Sequence, residues 1–262
     1  MQRRVALVTG ASSGIGVAFA ERLAAEGYDL CIVARRTERL EALKARIEGS
    51  TEAKVHVMPA DLAKPAQIRA LAERLEAAGL EIDCLINNAG FGYQDALQDR
   101  RSEDWERMIQ VNCSGLVALT RALLPAMIAR GRGEILNVAS IASFQAVATM
   151  SVYAASKAFV LSFSEGLRLE VKRHGVHVSC LCPGATISEF SQVAETKHAK
   201  PPAIAWMTAD AVARSGLRAM HRNKPVVIPG LLYKLMIYGQ ALLPRCLVNA
   251  LTAYLMRPIS PA

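Results

Sequence analysis

An α/β fold, with a doubly wound parallel sheet of about seven strands flanked by helices, is what this sequence predicts. Three observations predict it. Short apolar runs alternate along most of the chain with longer stretches of three- and four-residue apolar periodicity. The runs are continuous rather than alternating: Val5-Ala6-Leu7-Val8, Leu30-Cys31-Ile32-Val33 and Cys84-Leu85-Ile86 have no polar face, as strands covered by helices on both sides require. The first run also passes through a glycine-rich turn into an apolar helix, the opening of a βαβ unit.

Taken in order, strands read at about 4–9, 29–34, 54–59, 82–87, 133–139, 176–182 and 225–228. Helices read at 14–26, 36–48, 64–78, 102–130 and 151–174. No internal repeat, Gly/Ser linker or charge run marks a boundary, so residues 1–262 are expected to form a single domain. A composition of 52% hydrophobic and 21% charged residues supplies a large core and excludes a disordered polymer. In a sheet of this topology, ligands are expected at the carboxyl ends of the strands.

The first strand leads into Thr9-Gly10-Ala11-Ser12-Ser13-Gly14-Ile15-Gly16. Gly10 permits the tight turn, Gly14 lets the backbone approach a pyrophosphate, and Gly16 allows close packing of helix on strand. The helix start offers free N–H groups and a positive dipole end to that anion. This is the phosphate-binding turn of a Rossmann fold, with Ser12, Ser13 and Ile15 beside the glycines. The second strand ends in Val33-Ala34-Arg35-Arg36, with no carboxylate to hold a ribose 2′-hydroxyl. Arg35 or Arg36 could instead pair with a 2′-phosphate, and Ser13 could add a contact, so NADP(H) is favoured over NAD(H).

Further on stand Asn112, Ser140, Tyr153 and Lys157. The spacing Tyr153-x-x-x-Lys157 places both side chains on one helix face, one turn apart. Carbonyl reduction needs an acid to protonate the developing alkoxide. A tyrosine serves best if a neighbouring cation lowers its pKa, and Lys157 can supply that cation. Ser140 can polarise the substrate oxygen, and Asn112 could hold a proton-relaying water.

At these residues the chain resembles the short-chain dehydrogenase/reductase family in its form of about 250 residues. The matching elements are the glycine turn at 9–16, Asp61 after the third strand, Asn87-Asn88-Ala89-Gly90 after the fourth, then Asn112, Ser140, Tyr153-x-x-x-Lys157 and Pro183-Gly184. The resemblance implies that Asp61, with Leu62 beside it, bonds the adenine. It implies that Asn88, Ala89 and Gly90 line the adenosine side, and that Lys157 also holds the nicotinamide ribose. Pro183-Gly184-Ala185-Thr186 would face the carboxamide, and Ser188 stands where the family often has threonine. A substrate lid is expected at about 187–207, with Phe190, Trp206 and Met207 either lining an apolar pocket or packing in the core.

Several features point elsewhere or nowhere. The formal net charge is +8, but the Lys and Arg residues are spread along the chain without interleaved aromatics. Nucleic acid is therefore not expected, and an anionic cofactor or a membrane surface accounts for the balance. The six cysteines lack metal-ligand spacing, and no metal is expected. Asp83, Glu165 and Glu170 read as surface carboxylates, and His174 and His177 as solvent-facing. The apolar run near the N-terminus is too short for a signal peptide, which makes the cytoplasm the expected compartment. Residues 230–262 form an apolar C-terminal extension interrupted by Lys234 and Pro244-Arg245. Three uses compete for it: a cover on its own subunit or on a second one in a homodimer or homotetramer, an interfacial element on a membrane, and a membrane anchor. The expected activity is interconversion of a carbonyl and an alcohol on an apolar small molecule. The alternative is a non-catalytic NADP-binding regulatory protein on the same fold, which would need the glycine turn but not the tetrad.

Overall fold

The strands are β1 (Val5–Thr9), β2 (Asp29–Val33), β3 (Val55–Val57), β4 (Ile82–Asn87), β5 (Gly133–Val138), β6 (Val176–Leu181), β7 (Thr186–Ile187), β8 (Met207–Thr208) and β9 (Val226–Val227). Seven of them form one parallel sheet in the order β3-β2-β1-β4-β5-β6-β9, with the chain reversing direction across the sheet between β1 and β4. The two short strands β7 and β8 pair with each other outside it. The computed structural model describes residues 3–190 and 203–255. The central part of the lid and the last seven residues of the C-terminal extension thus lie outside the described residues.

The helices are α1 (Gly14–Ala25), α2 (Thr37–Glu48), α3 (Pro65–Ala77), α4 (Ser102–Ile109), α5 (Leu116–Ala129), α6 (Ser151–Val171), α7 (Ala209–His221), α8 (Leu231–Gln240) and α9 (Arg245–Leu255). Burial on both faces explains the continuous apolar strands. Ala6, Val8, Leu30 and Ile32 pack with Phe19, Leu23 and Leu217 on one side, while Leu7, Cys31, Val33 and Leu85 pack with Leu71, Leu119 and Leu167 on the other.

The expected helix over 102–130 is continuous but not uniform. Between α4 and α5, residues Gln110–Gly115 form a wider π-helical segment, and Pro125 is tolerated inside α5. Ser102–Ala129 is long and apolar enough to cross a membrane by composition. It is a core helix here, with Met108, Leu119 and Met127 fully buried. Asp83 also departs from expectation. It is buried rather than on the surface, because it is the second residue of β4, beneath the Val5 amide, which donates to it at 3.1 Å. Glu165 and Glu170 are exposed.

Candidate active site

The carboxyl ends of the strands open into a cleft of about 590 Å³. Gly10 and Gly14 adopt φ of +67° and +56°, the left-handed region that glycine enters without a steric cost. A Cβ at Gly16 would lie 2.2 Å from the Gly10 carbonyl oxygen, so this position requires glycine for the helix to pack against the turn. Ser13 is the residue before α1, and its side chain makes no capping hydrogen bond, which leaves the first-turn N–H groups of that helix for an anion. Thr9 ties this turn to the loop after β4. Its hydroxyl accepts from the Asn88 and Ala89 amides, each at 3.0 Å, and donates to the Ile86 carbonyl at 3.1 Å. Asn88 Nδ2 returns a bond of 2.9 Å to the Thr9 carbonyl.

Gly10, Ser12, Ser13, Gly14 and Ile15 all line the cleft, as do Arg35, Arg36, Asp61, Leu62, Asn88, Ala89 and Gly90. The two arginines differ in what they touch. Arg36 donates to Ser12 Oγ at 3.0 Å and to Glu189 at 3.2 Å, whereas Arg35 acts on Asp61 through its charge. Ser12, not Ser13, is the hydroxyl that meets an arginine. Asp61 receives Arg107 on Oδ2 at 2.8 Å and the Ala63 amide on Oδ1 at 3.1 Å. Burial pushes its pKa up, but the Arg107 and Ala63 hydrogen bonds outweigh that and hold the carboxyl below its usual value.

At the other end of the cleft, Ser140, Tyr153 and Lys157 come together. Ser140 ends the loop after β5, and its Oγ accepts from the Ala142 amide at 3.1 Å while bonding the Tyr153 hydroxyl. Thr149 precedes α6 with φ of 62°, a conformation that a β-branched residue keeps only when its surroundings enforce it. Lys157 is buried and donates to the Val138 carbonyl at 2.9 Å. A Cβ at Gly90 would meet Lys157 Nζ at 3.0 Å and Asn112 Oδ1 at 3.1 Å, which puts both groups on one side of that glycine. Asn112 sits in the π-helical segment. It donates to the Phe91 carbonyl at 2.9 Å and Ser156 Oγ at 3.0 Å, and accepts from the Phe91 amide at 3.1 Å. Both ends of its amide are therefore engaged, and one lone pair of Oδ1 remains.

In this arrangement burial, rather than Lys157, dominates the Tyr153 hydroxyl. Burial pushes the Tyr153 hydroxyl up to about 12 against the opposing Ser140 hydrogen bond, and burial pushes Lys157 down to about 8. The Lys157 ammonium is turned to the Val138 carbonyl, and lies 5.9 Å from the centre of the tyrosine ring.

Pro183, Gly184, Ala185, Thr186 and Ser188 complete the wall. Gly184 is required by close packing, since a Cβ there would meet the Tyr233 ring at 2.1 Å. Tyr233 on α8 accepts from the Ala185 amide at 3.0 Å and donates to the Ala205 carbonyl at 2.9 Å, so the start of the C-terminal extension pins the loops around the cleft. Phe190 and Trp206 line the cleft, Phe190 with its ring centre 5.4 Å from that of Tyr153. Met207 does not line it, because its backbone pairs with Thr186 and its side chain turns to the core. Sequence reasoning missed Gln94, Val147, Met150 and Glu189 in this lining. Only Phe91 and Tyr93, unusually aromatic for a loop, hinted that the segment around Gln94 was a wall.

A family model described as short chain dehydrogenase matches residues 4–199. A sulfoacetaldehyde reductase of Chromohalobacter salexigens is 42% identical over 189 residues, which covers 71% of this chain and 74% of that one. A short-chain dehydrogenase from Sphingobium yanoikuyae, solved in complex with NADPH, superposes with a TM-score of 0.83 at 34% identity, covering 99% of this chain and 98% of its own. A bulky-bulky ketone specific alcohol dehydrogenase from Comamonas testosteroni gives a TM-score of 0.78 at 32% identity, covering 92% and 94% of the two chains.

Proposed function

The chain belongs to the short-chain dehydrogenase family and is a hydride-transferring oxidoreductase, and we propose on that premise that it is an NADP(H)-dependent reductase of apolar ketones or aldehydes, of lipid, steroid or acyl type. The observation that carries this reading is the cleft that joins the glycine turn and the Arg35-Arg36 pair to Ser140, Tyr153 and Lys157. The NADPH bound to the Sphingobium enzyme supports the choice of cofactor. The residues present fit such a group: an uncapped helix start for the pyrophosphate, Arg36 with Ser12 for a 2′-phosphate, and Thr186 and Ser188 for the carboxamide.

A nicotinamide dinucleotide bound there would supply or accept the hydride. Ser140 orients and polarises the substrate oxygen, and Tyr153 gives that oxygen its proton. Burial keeps that hydroxyl protonated at neutral pH, so it holds a proton to give, although its raised pKa makes it a weaker acid than one tuned near neutrality. Lys157, protonated for the most part below about 8, would bind the nicotinamide ribose hydroxyls. Asn112 fixes the loop at Phe91 and keeps one lone pair for a relay water. Val147, Met150, Phe190 and Trp206 form the apolar end in which the substrate sits. The test is loss of reduced-nicotinamide absorbance with a panel running from short polar to bulky apolar ketones. Faster turnover of the bulky members with NADPH is expected. Equal rates with NADH, or no turnover across the panel, would remove the reading.

The exposed leucines of α8 and α9, among them Leu231, Leu235, Leu247 and Leu251, suit the interface of a homodimer or homotetramer in the cytoplasm, with anionic lipid as a second use for the basic, acid-free segment after Asp210. Sedimentation should show a smaller particle when the chain is cut after Gln240, which keeps the Tyr233 anchor. A cut protein of unchanged oligomeric mass, with an intact chain that does not float with anionic liposomes, would leave this surface without either role.

A further inference from the structure

Glu189 has no place in the chemistry above, yet it stands in the cofactor cleft between two arginines. It lies just after β7, where the lid begins, and its partners stand about 150 residues earlier at the start of α2. Both terminal nitrogens of Arg36 reach Glu189 Oε2 at 3.2 Å, and Arg39 reaches Oε1 at 2.5 Å. Arg36 also donates through Nε and Nη2 to Ser12 Oγ at 3.3 and 3.0 Å, so the cluster is tied to the phosphate turn itself. The neighbouring Ser188 lies against that turn, with its Cβ 2.9 Å from the place a Gly14 Cβ would take.

We propose that Glu189 is an internal occupant of the 2′-phosphate site, a lid-borne carboxylate that the 2′-phosphate of NADP(H) must displace from Arg36 and Arg39. The inference rests on the NADP(H) reading and deepens it, since it adds Arg39 as a second phosphate-binding cation and makes the lid part of cofactor selection. Three observations support it. A carboxylate gripped by two arginines, Arg36 on one oxygen and Arg39 on the other, offers the kind of cationic cluster by which proteins hold a phosphate. Arg36 caps α2, Arg39 lies in its first turn, and both reach the same carboxylate. Hydrogen bonds from Arg39 and then Arg36 hold the Glu189 carboxyl below its usual value, so the group is charged across the working range of pH. Two arginines and one carboxylate leave a local excess of one positive charge, and a phosphate dianion in the same place reverses its sign. Glu189 and the phosphate therefore compete for the same two cations. NADH, which carries a hydroxyl there, leaves the latch closed.

Direct binding titrations of NADPH and NADH test this, with wild type, Glu189→Gln, Glu189→Asp, Arg39→Ala and Arg36→Ala compared. Removing the competing charge should tighten NADPH by roughly three- to tenfold, the worth of one or two partly exposed ion pairs, and leave NADH within twofold. Glu189→Asp keeps the charge and should stay closer to wild type than Glu189→Gln does. Arg39→Ala should weaken NADPH and leave NADH unchanged. If wild type prefers NADPH and Arg36→Ala abolishes the preference, but Glu189→Gln leaves NADPH affinity unchanged or weaker, the latch is wrong and the cofactor assignment stands. If wild type shows no preference and Arg36→Ala moves neither affinity, the assignment fails and takes the latch with it. Melting temperatures of the variants within about 2 °C of wild type keep a folding defect from imitating either result.

Discussion

The two ends of the parallel sheet are both crowded with polar groups, and they use them in opposite ways. At the amino ends, acids and bases meet one another. Asp83 takes the Val5 amide and Arg132, and Glu134 takes Tyr28, Arg4 and His221. His221, at the end of α7, is held between Glu134 at 3.1 Å and Glu26 at 2.9 Å. At the carboxyl ends, apart from the Asp61–Arg107 pair, several groups are left for something else to complete. The start of α1 is uncapped, and the Lys157 ammonium donates to a backbone carbonyl rather than to a carboxylate. The charge cluster of Arg36 and Arg39 with Glu189 draws its acid from the lid. The difference teaches where to look in such a sheet. A buried polar group satisfied by its neighbours serves the fold, and one held by backbone alone or by a loop is available to a ligand.

The largest effect that could break this comparison is at the carboxyl end. Tyr153→Phe removes the proposed proton donor and leaves the ring packed on Phe190. Turnover should fall by about 10²–10⁴-fold, while NADPH affinity stays within about twofold, because the hydroxyl acts in the transition state. The melting temperature should barely move, since the substitution keeps the ring and removes a hydroxyl bonded to Ser140. A variant that keeps near-normal turnover, or loses stability before activity, would place Tyr153 with the structural groups of the opposite end.

These two ends were not equally legible in the sequence. The strands were, because burial on both faces forces continuous apolar runs such as Leu30-Cys31-Ile32-Val33, and a glycine turn with Tyr153-x-x-x-Lys157 marks its chemistry by local spacing. What escaped depends on distant partners. Glu189 reads as an ordinary loop acid until the fold brings it to α2, and Tyr233 reads as one more apolar residue until Gly184 and Ala185 pack against it. Asp83 reads as a surface carboxylate because nothing nearby in sequence says that the Val5 amide needs an acceptor. The π-helical turn at Gln110–Gly115 has no compositional mark at all, yet it sets Asn112 beside Phe91. Which of Arg35 and Arg36 reaches Ser12 is likewise a matter of direction rather than of residue type.

The smallest expected effect sharpens the comparison from the amino end. The Glu134 hydrogen bond raises the His221 pKa from 6.5 to about 8 against the opposing cost of burial, and Glu26 adds to it. Because the folded value lies above the unfolded one, the pairing stabilises the protein fully below about pH 6.5 and is lost as the pH rises through about 8. A shift of this size corresponds to roughly 2 kcal/mol. Solvent screening of a side chain that is 31% exposed reduces it to about 1 kcal/mol, or about 2–4 °C in melting temperature. His221→Gln should therefore melt a few degrees below wild type at pH 6.5, with the gap closing by pH 9. Turnover should stay within twofold, because the residue lies at the far end of the sheet from Tyr153. A gap that is constant across that range would mean that His221 contributes through packing and neutral hydrogen bonds alone. A gap that opens together with a loss of turnover would show that the two ends are coupled, and that the division of labour between them does not hold.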